Sequence, residues 1–250
     1  MYVRQCEAKD PGGTIVYIHG LGESGLCFEK LIVDARMQGW SHLAPDLPGY
    51  GKSPWPEQPM GLEEYVDYLG RWLKERAIDN AVLLGHSMGG VIGLMLCEKH
   101  PELVRGFINV EGNISLEDCT FSSMVASYPE DEWNTEGFER VCDVIYRDGL
   151  EDRALRGYYA SMRMCDPRVY HLNSKELVEL SQSEDPAARL GALKVPNIYI
   201  LGNPRGTGEH SRRLLTSAGV KWHAVEHAGH WPFIDQQAAF VDEILRFMSQ

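Results

Sequence analysis

A few residues in this 250-residue chain are of the types, and stand in the contexts, that nucleophilic catalysis needs. Ser87 lies in GHSMGG, a match to G-x-S-x-G made by Gly85, Ser87 and Gly89. His227 and His230 share the segment HAGHWPFID, and the carboxylates between the serine and these histidines include Glu111, Asp118 and Glu209. A serine hydroxyl is a poor nucleophile at neutral pH until a neighbour accepts its proton, and imidazole has a pKa suited to that task. A carboxylate behind the imidazole then holds its tautomer and stabilises the imidazolium.

The serine motif requires a particular local structure. AVLLG before it reads as a strand and MGGVIGLMLCEKH after it as a helix, so the chain must turn sharply at Ser87. Residues with a Cβ at positions 85 and 89 would collide in such a turn, which is the reason for glycine at both. The turn sets the Met88 N–H at a helix N-terminus, where aligned peptide dipoles favour an oxyanion. The bland alternative is a chance Ser-Gly turn, and the strand and helix on either side argue against it. Of the other histidines, His19, His42, His86 and His223 lie on or beside strand-like runs, where packed structural roles are expected. His100 closes a helix, and His171 lies in the middle segment.

The surrounding elements read as α/β. TIVYIHG, SHLAPDLPGYG, AVLLG, VRGFINVEG, KVPNIYILG and VKWHAVEH are short aliphatic or β-branched runs, and helical patterns separate them. In LEEYVDYLGRWLKERA, Leu62, Tyr65, Val66, Leu69 and Leu73 recur with helical spacing. From about residue 113 to 186 the strands stop. Helical patches rich in Tyr and Met take over, among them Tyr128, Trp133, Tyr146, Tyr158, Tyr159, Met162, Met164 and Tyr170. The expected organisation is therefore one α/β core, residues 1–112 and 187–250, interrupted by an inserted helical cap over residues 113–186.

Composition excludes several classes. A hydrophobic fraction of 44% with 24% charged residues suits an ordinary globular enzyme. The net charge of −12 argues against nucleic acid as a partner, because phosphate binding needs clustered Lys and Arg. No run reaches the length of a membrane span, and MYVRQCEAKDPGG lacks the apolar region of a signal peptide. The six cysteines form no C-x-x-C, as expected of reduced, mostly buried thiols in a cytoplasmic protein. There is no basic cluster for a phosphate and no glycine-rich nucleotide cradle, so no cofactor or metal is expected. Oligomeric state is not encoded in any of these features.

Taken together, these segments resemble the α/β-hydrolase family over nearly the whole chain. HGLGES, from His19 to Ser24, looks like the family's first oxyanion loop, in which Leu21 supplies the second N–H beside that of Met88. DLPGYGKS resembles its D-x-x-G-x-G-x-S turn, and HAGHWPFID resembles the loop carrying its catalytic histidine, which maps onto His230 with His227 in reserve. The resemblance implies a mostly parallel sheet flanked by helices, with the Leu21 and Met88 side chains expected to line the acyl pocket.

The acid departs from the family's usual place. It commonly follows the strand that here is NIYILG, yet the loop there is GNPRGTGEHS, with Arg205 where a cation would disfavour an imidazolium. Some members carry the acid one strand earlier, directly before the cap, and Glu111 occupies that position. Glu209, at a helix opening, and Asp118 remain alternatives, while Asp46 precedes the serine and belongs to a turn. The expected activity is that of a cofactor-free serine hydrolase, a carboxylesterase acting on small or aromatic esters through an acyl-enzyme on Ser87. Lactone, C–C bond or amide hydrolysis would use the same machinery, and a weakly catalytic ligand-binding receptor is the alternative outside enzymology. Glu111 is expected within hydrogen-bond reach of His230.

Overall fold

The computed structural model describes residues 1–9 and 11–249. Seven strands form one sheet: β1 (Val3–Cys6), β2 (Thr14–Ile18), β3 (Ser41–Pro45), β4 (Ala81–His86), β5 (Val104–Val110), β6 (Asn197–Arg205) and β7 (Trp222–Gly229), in the order β1-β3-β2-β4-β5-β6-β7. Only β1 runs antiparallel to its neighbour; the others are parallel. Every residue of β4 is buried, as in a strand covered by helices on both faces, which explains its unbroken apolar run.

The helices α1 (Leu62–Glu75) and α2 (Met88–Lys99) precede and follow β4 in the chain. Between β5 and β6 come α3 (Thr120–Ala126), α4 (Phe138–Asp148), α5 (Arg153–Met162), α6 (Pro167–Ser183) and α7 (Asp185–Ala192). The chain ends with α8 (Glu209–Ser217) and α9 (Gln237–Met248). In α1 the stripe read from the sequence is the buried face: Leu62, Tyr65, Val66, Leu69 and Leu73 all lie in the core. The α2 helix is instead buried nearly all round, from Met88 to Cys97. Its Gly93 lets the backbone settle on Phe107 of β5, whose ring would lie 2.5 Å from an added Cβ.

Between β5 and β6 no strand occurs among the described residues. The aromatic residues of this segment pack on one another and are continuous with the core around the sheet. Trp133 is fully buried, stacks on Tyr170 and His171, and meets Phe138 edge-on. Asp152 and Asp166 start α5 and α6 by accepting hydrogen bonds from first-turn N–H groups, at Ala154 and Leu155 and at Arg168 respectively. Among the described residues no helix is long and apolar enough to cross a membrane. All six cysteines are free thiols; Cys6 is exposed, Cys27 half-buried and the rest buried.

One element is longer than the sequence pattern suggests. The run NIYILG ends at a glycine, yet β6 continues through Asn203, Pro204 and Arg205, pairing Pro204 with Ala228 and Arg205 with Gly229. Proline is tolerated because the register shifts between Asn203 and Pro204, an irregularity at which a missing N–H removes little from the ladder.

Truncation of the fully packed α1 stripe gives a direct measure of the core. Leu69→Ala should lower the unfolding free energy by about 3 kcal/mol, read from the midpoint of urea unfolding at unchanged slope.

Candidate active site

The parallel strands deliver their C-terminal ends to one edge of the sheet, where α/β proteins place their sites. Ser87 follows β4 immediately and adopts φ 52°, ψ −119°, a strained conformation for a residue with a side chain. Two features hold it there. Its N–H donates to Val110 O at 2.9 Å, tying the turn to the end of β5. A Cβ on Gly85 would strike Gly89 O, and one on Gly89 would strike Ile18 O, so both motif glycines are demanded by close backbone approach.

Glu111 follows β5 and also has positive φ, 54°. Its N–H donates to Ile200 O at 3.1 Å, and its carboxylate leans across the end of β6. Oε1 accepts from Gly202 N–H at 2.6 Å, while Oε2 accepts from Thr207 Oγ1 at 3.2 Å and faces His230 Nδ1 at 3.3 Å. With Nδ1–H directed at a carboxylate, Nε2 is the nitrogen free to accept a proton. Burial works against a charged His230, but the hydrogen bond and charge of Glu111, with smaller contributions from Glu23 and Asp118, lift its pKa above the ordinary histidine value. Glu111 itself is 2% exposed, so this interaction is little screened by water.

Ser87, His230 and Glu111 line one cavity of about 160 Å³, together with Leu21, Tyr158 and Trp231. The two residues expected to bring oxyanion donors diverge in their side chains. Leu21 lines the cavity, but the Met88 side chain is fully buried and its Sδ accepts from Tyr50 O–H at 3.8 Å. The α2 helix lies against the sheet, so its first side chain points into the core and only the backbone of Met88 is left for the site. The Met88 N–H is one of those that a helix leaves unpaired at its start.

The remaining candidates are placed elsewhere. Glu209 is 91% exposed in the first turn of α8 and pairs with Arg213. Asp118 borders the cavity, but its carboxylate accepts from Ile114 N, Ser115 N, Gly208 N and Ser211 Oγ and so ties loops together. His227 is exposed. Arg205, whose charge made this loop look hostile to an imidazolium, is exposed at the cavity rim. Among the tyrosines and methionines singled out between residues 113 and 186, Tyr158 lines the cavity, whereas Met162 and Tyr170 are buried in the core.

Sequence reasoning missed Glu23, the partner of His86; His86 itself is the buried, hydrogen-bonded structural residue expected. The Glu23 carboxylate is 2% exposed and accepts from Gly20 N–H at 2.7 Å, His86 Nδ1 at 2.9 Å and Trp231 Nε1 at 2.5 Å. His86 Nε2 in turn reaches the His230 carbonyl oxygen at 2.8 Å. The Glu23 carboxylate and the His230 carbonyl are both acceptors, so His86 meets them through ring N–H groups. Burial pushes the Glu23 pKa up, but the charge and hydrogen bond of His86 and the donors Trp231 and Gly20 outweigh it and hold it down to about 2. His19 is the converse case: Nδ1–H donates to Gly20 O and Nε2 accepts from Leu47 N–H, a neutral ring whose burial depresses its pKa. The signal for Glu23 was present as the acidic letter of HGLGES, but a loop glutamate reads as solvated until its partners are seen.

Among the described residues, no group of three or more His, Cys, Asp or Glu is placed to hold a metal ion. A model of the alpha/beta hydrolase family matches residues 15–243. The chain belongs to this family. It is similar to a pimeloyl-[acyl-carrier protein] methyl ester esterase of Photorhabdus laumondii, 26% identical over 98% of this chain and 95% of that protein. Among solved structures, the enol-lactonase from Burkholderia xenovorans shares the fold with a TM-score of 0.81 at 20% identity, covering 100% of this chain and 96% of that one. A structure from a study of carboxylesterases of Nitrososphaera gargenis has a TM-score of 0.80 at 17% identity, covering 99% and 93%. In this alpha/beta hydrolase the Glu23–His86 contact ties the HGLGES loop to the GHSMGG turn, each segment supplying one partner.

Because the Glu23 pKa is depressed in the folded state, its stabilisation is present above the unfolded value of about 4.5 and is lost as pH falls towards 2. Glu23→Gln should cost on the order of 3 kcal/mol at pH 7. The difference in Tm between the variant and the wild type should shrink steadily as thermal melts are repeated from pH 4.5 down to 2.

Proposed function

We propose that this alpha/beta hydrolase is a serine carboxylic ester hydrolase in which Ser87 is the nucleophile, His230 the base and Glu111 the orienting acid. The observation that carries the reading is the contact from His230 Nδ1 to Glu111 across the end of β6, at the edge where Ser87 emerges. Its Ser–acid–His order along the chain agrees with the family's.

The chemistry follows from the atoms available. His230 Nε2 takes the Ser87 hydroxyl proton as Oγ attacks the ester carbonyl carbon. The resulting oxyanion is met by the N–H groups of Leu21 and Met88, worth on the order of 3–4 kcal/mol of barrier for each donor. The tetrahedral intermediate collapses, His230 returns the proton to the departing alcohol, and the acyl group stays on Ser87. Water, deprotonated by the same histidine, then attacks the acyl carbon, and His230 returns that proton to Ser87 Oγ as the acyl–Oγ bond breaks and the acid leaves. No cofactor enters either half-reaction. The segment over residues 113–186 serves as a cap, with Phe121 and Tyr158 turned to the cavity and the Trp133 cluster anchoring it to the core of the protein. Small or aromatic acyl groups suit a cavity of about 160 Å³ walled by Tyr158 and Trp231. The similarity to a methyl ester esterase supports an ester as substrate, and a lactone would be opened by the same steps.

A fluorophosphonate probe should label Ser87 covalently, with labelling lost in Ser87→Ala, as read by intact-protein mass spectrometry. Absence of labelling together with absence of ester turnover would favour a receptor built on the same fold. Glu111→Gln should lower kcat for a p-nitrophenyl ester by roughly 10³–10⁴, whereas Glu209→Gln should change it little.

Because the base must be neutral, kcat/KM should fall as pH drops through the His230 pKa. The midpoint should lie above the ordinary histidine value of about 6.5. Replacing Glu111 by Gln removes the main support of the imidazolium, so the residual activity should show that midpoint displaced to lower pH.

A further inference from the structure

A second cleft opens behind the wall of the catalytic cavity. It measures about 220 Å³ and shares Glu23, Tyr158 and Trp231 with that cavity, but neither Ser87 nor His230 lines it. The three shared residues therefore stand between the two spaces, and they are held fast. The Tyr158 and Trp231 rings pack with centroids 5.5 Å apart. The Tyr158 hydroxyl is hydrogen-bonded to that of Tyr170 at 2.5 Å, and the Trp231 indole donates to Glu23. The second cleft is a separate compartment, not an arm of the first.

Its walls are mostly apolar. Leu26, Trp231 and Ile234 line it on one side, and Ala154, Gly157 and Ala160 of α5 on the other. Gly157 stands in the interior of α5, where glycine is less favourable than alanine. Packing does not demand it: a Cβ at Gly157 would meet nothing within 4 Å. What glycine does at this position is keep the cleft open. An apolar cavity of about 150 Å³ takes up benzene, so the cleft has room for an alkyl chain.

Two cations stand among its lining residues. Lys30 lies on the short helix Glu29–Ile32 of the core, and Arg153 opens α5. Both are exposed, and neither has an ion-pair partner among the described residues. Of the carboxylates lining the cleft, Glu23 is taken up by Gly20, His86 and Trp231, which leaves only the exposed Glu29 against the two cations. The mouth is thus net positive in a chain whose net charge is −12. Apolar walls below and a positive mouth above are complementary to an amphiphile with one negative head.

We propose that this cleft is a binding site, separate from the catalytic cavity, for a free medium-chain aliphatic carboxylate. The alkyl chain lies in front of Gly157 against Leu26, Trp231 and Ile234, and the carboxylate sits at the mouth with Lys30 and Arg153. One cation belongs to the core and the other to the inserted helical segment, so the bound anion bridges the two and stabilises their association. The inference is independent of the chemistry assigned to Ser87.

The test is titration calorimetry of the whole protein with octanoate, below its micelle-forming concentration, and with octan-1-ol as the uncharged chain of equal length. The wild type is compared with Gly157→Leu, which fills the cleft and leaves the catalytic cavity untouched, and with the double variant Lys30→Gln/Arg153→Gln. Thermal melts with and without octanoate accompany each titration, and circular dichroism of the unliganded variants checks their folding.

Octanoate should bind the wild type at one site and raise its Tm. Its affinity should fall at least tenfold in Gly157→Leu and roughly fivefold in the double variant, while that of octan-1-ol falls only in Gly157→Leu. The double variant supplies the comparison if Gly157→Leu does not fold. Absence of octanoate binding to the wild type overturns the proposal. So does an affinity unchanged in Gly157→Leu, which would place octanoate elsewhere, in the catalytic cavity above all. Equal losses of octanoate and octan-1-ol in the double variant overturn the role of the two cations. A dimer in sedimentation velocity that Gly157→Leu abolishes and octanoate leaves intact would make a second copy of the chain the occupant, and overturns it as well.

Discussion

The buried carboxylate of Glu23 is the interaction on which the geometry of this site depends. Three loops that are far apart in sequence must meet within a few ångströms: the turn at Gly20 and Leu21, the elbow at Ser87, and the loop of His230 and Trp231. Glu23 accepts a hydrogen bond from each of them, through Gly20 N–H, His86 and the Trp231 indole. His86 then closes the circuit by donating to the backbone carbonyl of His230. An ion so deeply buried is tolerable only when its lone pairs are occupied, and here they are. The same charge that would be costly alone becomes a rigid fastening for the backbone around Ser87.

The second constraint is the route taken by Glu111. It leaves β5 and crosses the end of β6 to meet a histidine carried beyond β7, so the strand it passes over must present donors rather than a competing carboxylate. Gly202 supplies an N–H and Thr207 a hydroxyl, with Tyr199 O–H behind Thr207 at 2.9 Å. Gly206 leaves the space that the Glu111 carboxylate fills, since a Cβ there would strike Oε1. The loop after β6 thus acts as a cradle for an acid on the neighbouring strand. Arg205 can stand in it because its side chain projects to solvent at the rim.

Much of this was legible in the sequence, for identifiable reasons. The elbow at Ser87 was readable because the backbone there admits only glycine at positions 85 and 89. The α1 stripe was readable because Leu62, Tyr65, Val66, Leu69 and Leu73 leave no other periodicity. The extension of β6 was not, because Pro204 signals a break locally and only the partner strand β7 overrides it. The inward turn of the Met88 side chain depends on how α2 lies on the sheet, a tertiary relation that a local pattern does not contain. Glu23 escaped for the same reason. A carboxylate in a glycine loop looks solvated until the elements that bury it are assembled.

Ser87 and Glu111 end adjacent strands, and both hold backbone conformations with φ above 50° that side-chain-bearing residues seldom adopt. Such conformations persist only while their surroundings impose them. A slight loosening of the sheet edge would let both backbones relax and turn the hydroxyl and the carboxylate away from the imidazole, with the bulk of the secondary structure still in place. Under the proposed mechanism, ester hydrolysis is therefore expected to fail on heating at a lower temperature than the one at which circular dichroism reports loss of the sheet.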